Sequence, residues 1–159
     1  MMKKRFFQEK GQGMVEFALT FPFLIVLVFA VIETAHFMFV YNALTAASRE
    51  ASRFGAGLGG DGKGVAHYRD CQGMKDAAKR VGSIAYINDS QIQISYDEGP
   101  GKKDLGGCPI SEIHLGDRVV VQITGYYQPL VPFVNIPPMP ITATSAHTIL
   151  KSIFIPITP

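Results

Sequence analysis

A net positive charge is absent once the first eleven residues are set aside. Lys3, Lys4, Arg5 and Lys10, opposed only by Glu9, account for the net charge of +2, and the remainder of the chain is slightly acidic. No basic surface is left to attract nucleic acid. Chemistry-bearing patterns are missing as well. There is no internal repeat, no nucleophile elbow and no helical metal-binding motif. His67, His114 and His147 stand among scattered acids, and Ser145-Ala146-His147 falls in an expected strand without an obvious partner. An enzyme is therefore not expected, nor a catalytic residue, cofactor or bound metal. At 159 residues the chain has room for one domain plus a membrane segment, not for two sizeable domains.

Between Phe17 and Ile32 charge is missing altogether (FALTFPFLIVLVFAVI), and after Glu33 the apolar character resumes through Phe39 and Val40 to Tyr41. A helix over Phe17–Tyr41 is roughly 37 Å long, enough to cross a hydrocarbon core of about 30 Å with some tilt. No later segment is as long and apolar, so one span is expected. The basic residues before it mark the cytoplasmic side, which places the N-terminus in and everything after about Tyr41 out.

A cleaved secretory signal has a shorter apolar run before a small-residue site, and Thr45-Ala46-Ala47, the nearest imitation, sits in continuing helical pattern. The more specific stretch is Gly11-Gln12-Gly13-Met14-Val15-Glu16-Phe17. It puts a carboxylate against the start of the span, where mid-membrane charge costs on the order of 2.5–3.5 kcal/mol. With the basic leader before it, this stretch resembles type IV prepilins, and among them the TadE-like pseudopilins of tight-adherence (Flp) systems. The similarity continues through Glu16-Phe17-Ala18-Leu19, Pro22, Glu33 and the run Leu44 to Phe54 (LTAASREASRF), with Ser52 where the family often has glycine.

The resemblance implies that a prepilin peptidase removes residues 1–11 by cutting after Gly11. Gln12 then becomes the first residue and Glu16 the fifth, followed by Phe17, which together serve assembly. It also implies a bacterial inner-membrane protein with a periplasmic or surface-exposed C-terminal domain, and other pilin or pseudopilin subunits as partners in adhesion and biofilm growth. The chain is much longer than a major Flp pilin, which implies a minor subunit. Independently of family, a carboxylate one turn from a freed N-terminal amine can neutralise it, on the same chain or a neighbour. The alternative is an uncleaved single-pass binding or sensor protein, which has no need of glycine five residues before Glu16.

Further along, Val40, Leu44, Ala47, Ala51 and Phe54 form an apolar stripe at helical spacing, suited to packing on the chain's own outer domain or on other subunits. Glu33 and His36 are one turn apart and placed to pair, or to meet a neighbouring helix. The Gly-rich run 55–64 ends the helix; Gly57-x4-Gly62-Lys63 lacks the Ser or Thr and the preceding strand of a phosphate loop. A second helix is expected over Gln72–Ile87 and strands over Gln91–Tyr96, Arg118–Tyr127 and Ile141–Ile149, with a polar loop over 97–107 and a proline-punctuated connection from Pro129 to Pro140. The expected fold class is α+β: a long N-terminal transmembrane helix followed by a small antiparallel sheet domain, as in pilins. Its parts are a leader (1–11), the membrane helix and its extension (12–55), a Gly-rich linker (56–71) and an outer domain (72–159). On the outer side Cys71 and Cys108 are placed to form a disulfide. The competing arrangement is zinc held by His67, Cys71, Cys108 and His114.

Overall fold

The computed structural model describes residues 9–60, 62, 64–130 and 137–150. The leader's Lys3, Lys4 and Arg5, Lys63 of the glycine run, Pro132 of the proline-rich connection and residues 151–159 of the outer domain lie outside the described residues.

One helix dominates the molecule. α1 runs unbroken over Glu9–Ala56 and passes through Pro22. From Val15 to Ile32 its apolar side chains are exposed, as a segment solvated by lipid requires, and from Leu44 to Ala56 one face is buried. Leu44, Ala47 and Ala51 are fully buried, with Val40 and Phe54 packed at the edges, so the stripe seen in the sequence faces the chain's own outer domain.

Four antiparallel strands form the sheet, in the order β2-β1-β3-β4. They are β1 (Ile92–Asp97), β2 (Asp104–Gly107), β3 (Arg118–Tyr127) and β4 (Met139–Thr148). In β3 the β-branched run alternates buried and accessible positions along its whole length, because one sheet face meets the helices and the other meets water. Val119, Val121 and Ile123 are fully buried, whereas Gln122, Tyr126, Thr142 and Thr144 are exposed on the opposite face. The second helix, α2 (Cys71–Val81), packs alongside α1 and adds Met74 and Ala78 to the same core. Asp70 caps it by accepting a 2.8 Å hydrogen bond from the Gly73 amide. This is the expected α+β layout.

Two elements differ from the sequence expectation. α2 stops at Val81 rather than Ile87, and short 3-10 turns over Ser83–Ala85 and Asp89–Gln91 lead into β1. Gly82 caps α2, a residue that disfavours helix by about 1 kcal/mol relative to alanine, and a Cβ there would lie 2.2 Å from Ile87 Cδ1 and 3.0 Å from Ala47 Cβ. β2 arises inside the expected polar loop, pairing Ser95 with Gly107 and Tyr96 with Gly106.

Across the β1–β3 pair, Arg118 donates two hydrogen bonds of 2.7 Å to the two oxygens of Asp97. That bidentate bond holds the Asp97 carboxyl below the usual carboxylate range. A depressed folded value contributes stability above the unfolded value of about 3.9, and the contribution is lost as pH falls through the folded one. Asp97→Asn is accordingly expected to lower the melting temperature at neutral pH and to flatten the acid-side fall. Equal melting temperatures at neutral pH would show that the pair adds no stability.

Candidate functional site

The processing and assembly residues singled out by sequence lie in the first turns of α1, Glu33 and His36 lie further along it, and the two cysteines lie in the sheet domain. In the first turns Gly11 to Phe17 are all exposed, and a Cβ placed at Gly11 or Gly13 would meet nothing within 4 Å. Gln12 donates a 3.2 Å hydrogen bond from its side chain to Glu16 Oε1, while the Thr20 hydroxyl reaches the Glu16 carbonyl at 2.9 Å. Phe17 stacks on Phe21 with ring centroids 5.3 Å apart. Gln12, Glu16 and Phe17 thus present one accessible polar and aromatic surface. Further along, Phe21, Pro22, Ile25, Val26 and Phe29 line an apolar groove of about 530 Å³ that ends at Glu33.

At Glu33 the sheet domain touches the apolar segment of α1. Glu33 does not pair with His36. Its carboxylate accepts a hydrogen bond from the Tyr127 hydroxyl and two of 3.2 Å from the Leu130 amide. The Tyr127 ring packs against His36 (5.2 Å between centroids) and edge-on against Phe37 (5.3 Å). Burial, then the hydrogen bond to Glu33, pushes the Tyr127 hydroxyl up to about 12, so it stays protonated and remains a donor at physiological pH. Sequence reasoning missed this contact because its partners lie more than ninety residues away. The available signal was a lone acid in an apolar run, which needs donors from somewhere.

A second long-range contact ties α1 to β4. Ser52 is fully buried, and its oxygen lies 3.0 Å from Ser145 Oγ, 2.9 Å from His147 Nδ1 and 2.9 Å from the Ser48 carbonyl oxygen. The Ser-Ala-His triplet therefore has a partner after all. A hydroxyl beside an imidazole is half of a nucleophile–base pair, but although His147 is exposed, the Ser52 hydroxyl itself is fully buried, out of reach of a substrate carbonyl. It pins the helix to the sheet, which gives Ser52 a structural role at a position where TadE-like proteins often carry glycine.

Cys71 and Cys108 are joined in a disulfide, with Cα atoms 5.8 Å apart. That removes the zinc arrangement, since the two thiolates it requires are consumed. Neither histidine stands ready as a ligand: His67 packs edge-on against Phe54, and His114 is exposed beside Asp117. Among the described residues no three His, Cys, Asp or Glu side chains gather where a cation would bind. Around the bridge, the Tyr96 hydroxyl donates to the Tyr68 carbonyl and lies 3.3 Å from Cys108 Sγ, and Arg69 donates to the carbonyls of Ile110 and Ser111.

Comparison with known proteins bears on the helix alone. Residues 11–53 match the family described as TadE-like protein, a stretch that takes in Gly11, Glu16, Pro22, Glu33 and the run from Leu44 to Arg53. Neither the curated proteins nor the solved structures contain a significant match to the chain. The matched segment lies on the one helix among the described residues that is long and apolar enough to cross a bilayer, so the N-terminal part of the chain is a TadE-like segment with the length and composition of a membrane span.

Proposed function

We propose that the chain is a minor pilin or pseudopilin subunit of a tight-adherence pilus, matured by a prepilin peptidase that cuts after Gly11. It sits in the bacterial inner membrane with its N-terminus inside and its disulfide-bonded domain outside, until or unless it enters a fibre. Its role is structural, in keeping with a TadE-like segment, and its partners are the helices of like subunits.

The observation that carries this is the accessible turn from Gly11 to Phe17, set five residues deep against an apolar span. A protease needs extended backbone, so the helix must open at the scissile bond. Gly11 and Gly13 each weaken a helix by about 1 kcal/mol relative to alanine, and among the described residues nothing lies within 4 Å of a Cβ at either. Once Gln12 carries a free amine, Glu16 lies one turn away and exposed, positioned to neutralise that amine or a neighbouring subunit's. The apolar groove beside Pro22 gives an adjacent helix a place to seat, and Pro22 leaves the Ala18 carbonyl without its usual helical donor.

Intact mass of the membrane-extracted protein tests the proposal. In cells with the peptidase the chain is expected to lack residues 1–11, and without it to retain them. Gly11→Ala should keep the leader on in both backgrounds. Normal maturation of that variant would overturn the cut after Gly11, and a full-length chain in every case would leave an ordinary uncleaved anchor.

A further inference from the structure

We infer that the end of the sheet carrying Leu130 and Met139 docks on the outer leaflet of the membrane, so that the domain rests on the lipid surface rather than standing clear of it. It rests on the single-pass reading, not on leader cleavage.

The depth of Glu33 sets the argument. Glu33 comes sixteen residues after Phe17, where the uncharged run begins. That is about 24 Å of helix at 1.5 Å per residue, short of the roughly 30 Å hydrocarbon thickness. Its carboxylate is therefore level with the outermost part of the apolar layer even without tilt. A carboxylate at that level needs donors, and it has them in the Tyr127 hydroxyl and the Leu130 amide. Giving them up would leave an unpaired charge against lipid, so the end of β3 must lie at the same depth.

What β3 and β4 present there suits the location. Leu130 is 59% exposed and Met139 45%, and register pairs Tyr127 with Met139 at this end of the sheet. From Gln128 to Ile141, the stretch that leads into this end of β4, the sequence contains no Asp, Glu, Lys or Arg. Tyr126, 63% exposed, adds an aromatic ring with a polar tip, the side chain favoured at headgroup depth. The opposite end of the sheet is different in character. There Arg118 pairs with Asp97, Asp117 is buried, and the chain meets Ala56, the far end of α1.

The native chain has no tryptophan, so single-tryptophan variants report one position each. Full-length Leu130→Trp and Met139→Trp would be reconstituted in phosphatidylethanolamine–phosphatidylglycerol vesicles doped with phosphatidylcholine brominated near the glycerol or near the chain terminus. Val26→Trp marks the span and Leu115→Trp the far end of the domain. Blue-shifted emission at 130 and 139, quenched most by the shallow bromines, with 115 unquenched and 26 quenched by the deep ones, is the expected result. Quenching at 26 without quenching at 130 or 139 overturns the docking, and a blue shift at 130 without quenching assigns the surface to a protein partner instead. Absence of quenching at 26 overturns the membrane span itself, and this inference with it.

Discussion

Replacing Cys71 with serine is expected to lower the stability of the outer domain by about 4 kcal/mol, the chain-entropy value for a bridge spanning 37 residues. In so small a domain that is a large share of the total. The bridge joins the first residue of α2 to the segment just after β2, and thereby closes the loop containing β1 and the weak edge strand. β2 has only four residues, two of them glycine, and buries little, so its place beside β1 depends on something other than its own packing. The test is a melting curve in detergent, with and without reductant. Reductant should bring the wild type down towards the variant and leave the variant unmoved. Equal melting temperatures for the two oxidised proteins would mean that the hydrogen bonds from Arg69 and Tyr96 suffice to hold this region. A chelator should change neither curve, since the sulfurs that zinc would need are bonded to each other.

What the sequence disclosed follows from how local the information was. Val119, Val121 and Ile123 alternate with accessible residues over a long β-branched stretch, and the span of β3 was legible to the residue. The stripe from Val40 to Phe54 was legible for the same reason, as a helical period needs no knowledge of what it packs on. β2 was not, because Asp-Leu-Gly-Gly carries no strand preference and is made a strand by β1. The end of α2 was marked by Gly82, but the close approach of Ala47 and Ile87 that leaves no room for a side chain there is something spacing does not disclose. At the candidate site the split is sharper. Gly11, Gln12, Glu16 and Phe17 form one local motif and appear together on one accessible turn. The tether from Glu33 to Tyr127 and Leu130, and the pin from Ser52 to His147, join positions more than ninety residues apart, and no neighbour in sequence announces either partner.

The second large effect concerns the C-terminal half of α1, which continues the apolar segment and is a core element of the sheet domain. Leu44 is fully buried and faces Gly125 in β3, where an added Cβ would lie 2.7 and 2.8 Å from its two methyl carbons. The absence of a side chain at 125 is what lets the helix come down onto the strand. Leu44→Ala is therefore expected to cost about 3 kcal/mol, as transfer loss plus the cavity left behind. Gly125→Val should cost about 2 kcal/mol or more by overpacking against Leu44, even though valine favours a strand. Combined, the two changes exchange volume across one contact, and the double variant should be more stable than the sum of the single losses allows. Thermal or denaturant unfolding of the four proteins completes the cycle. Coupling of that sign puts Leu44 against Gly125 in the folded protein and makes the sheet dependent on the same helix that enters the membrane. Strict additivity would mean that α1 leaves the sheet beyond the bilayer, and that the buried stripe serves contacts with other subunits instead.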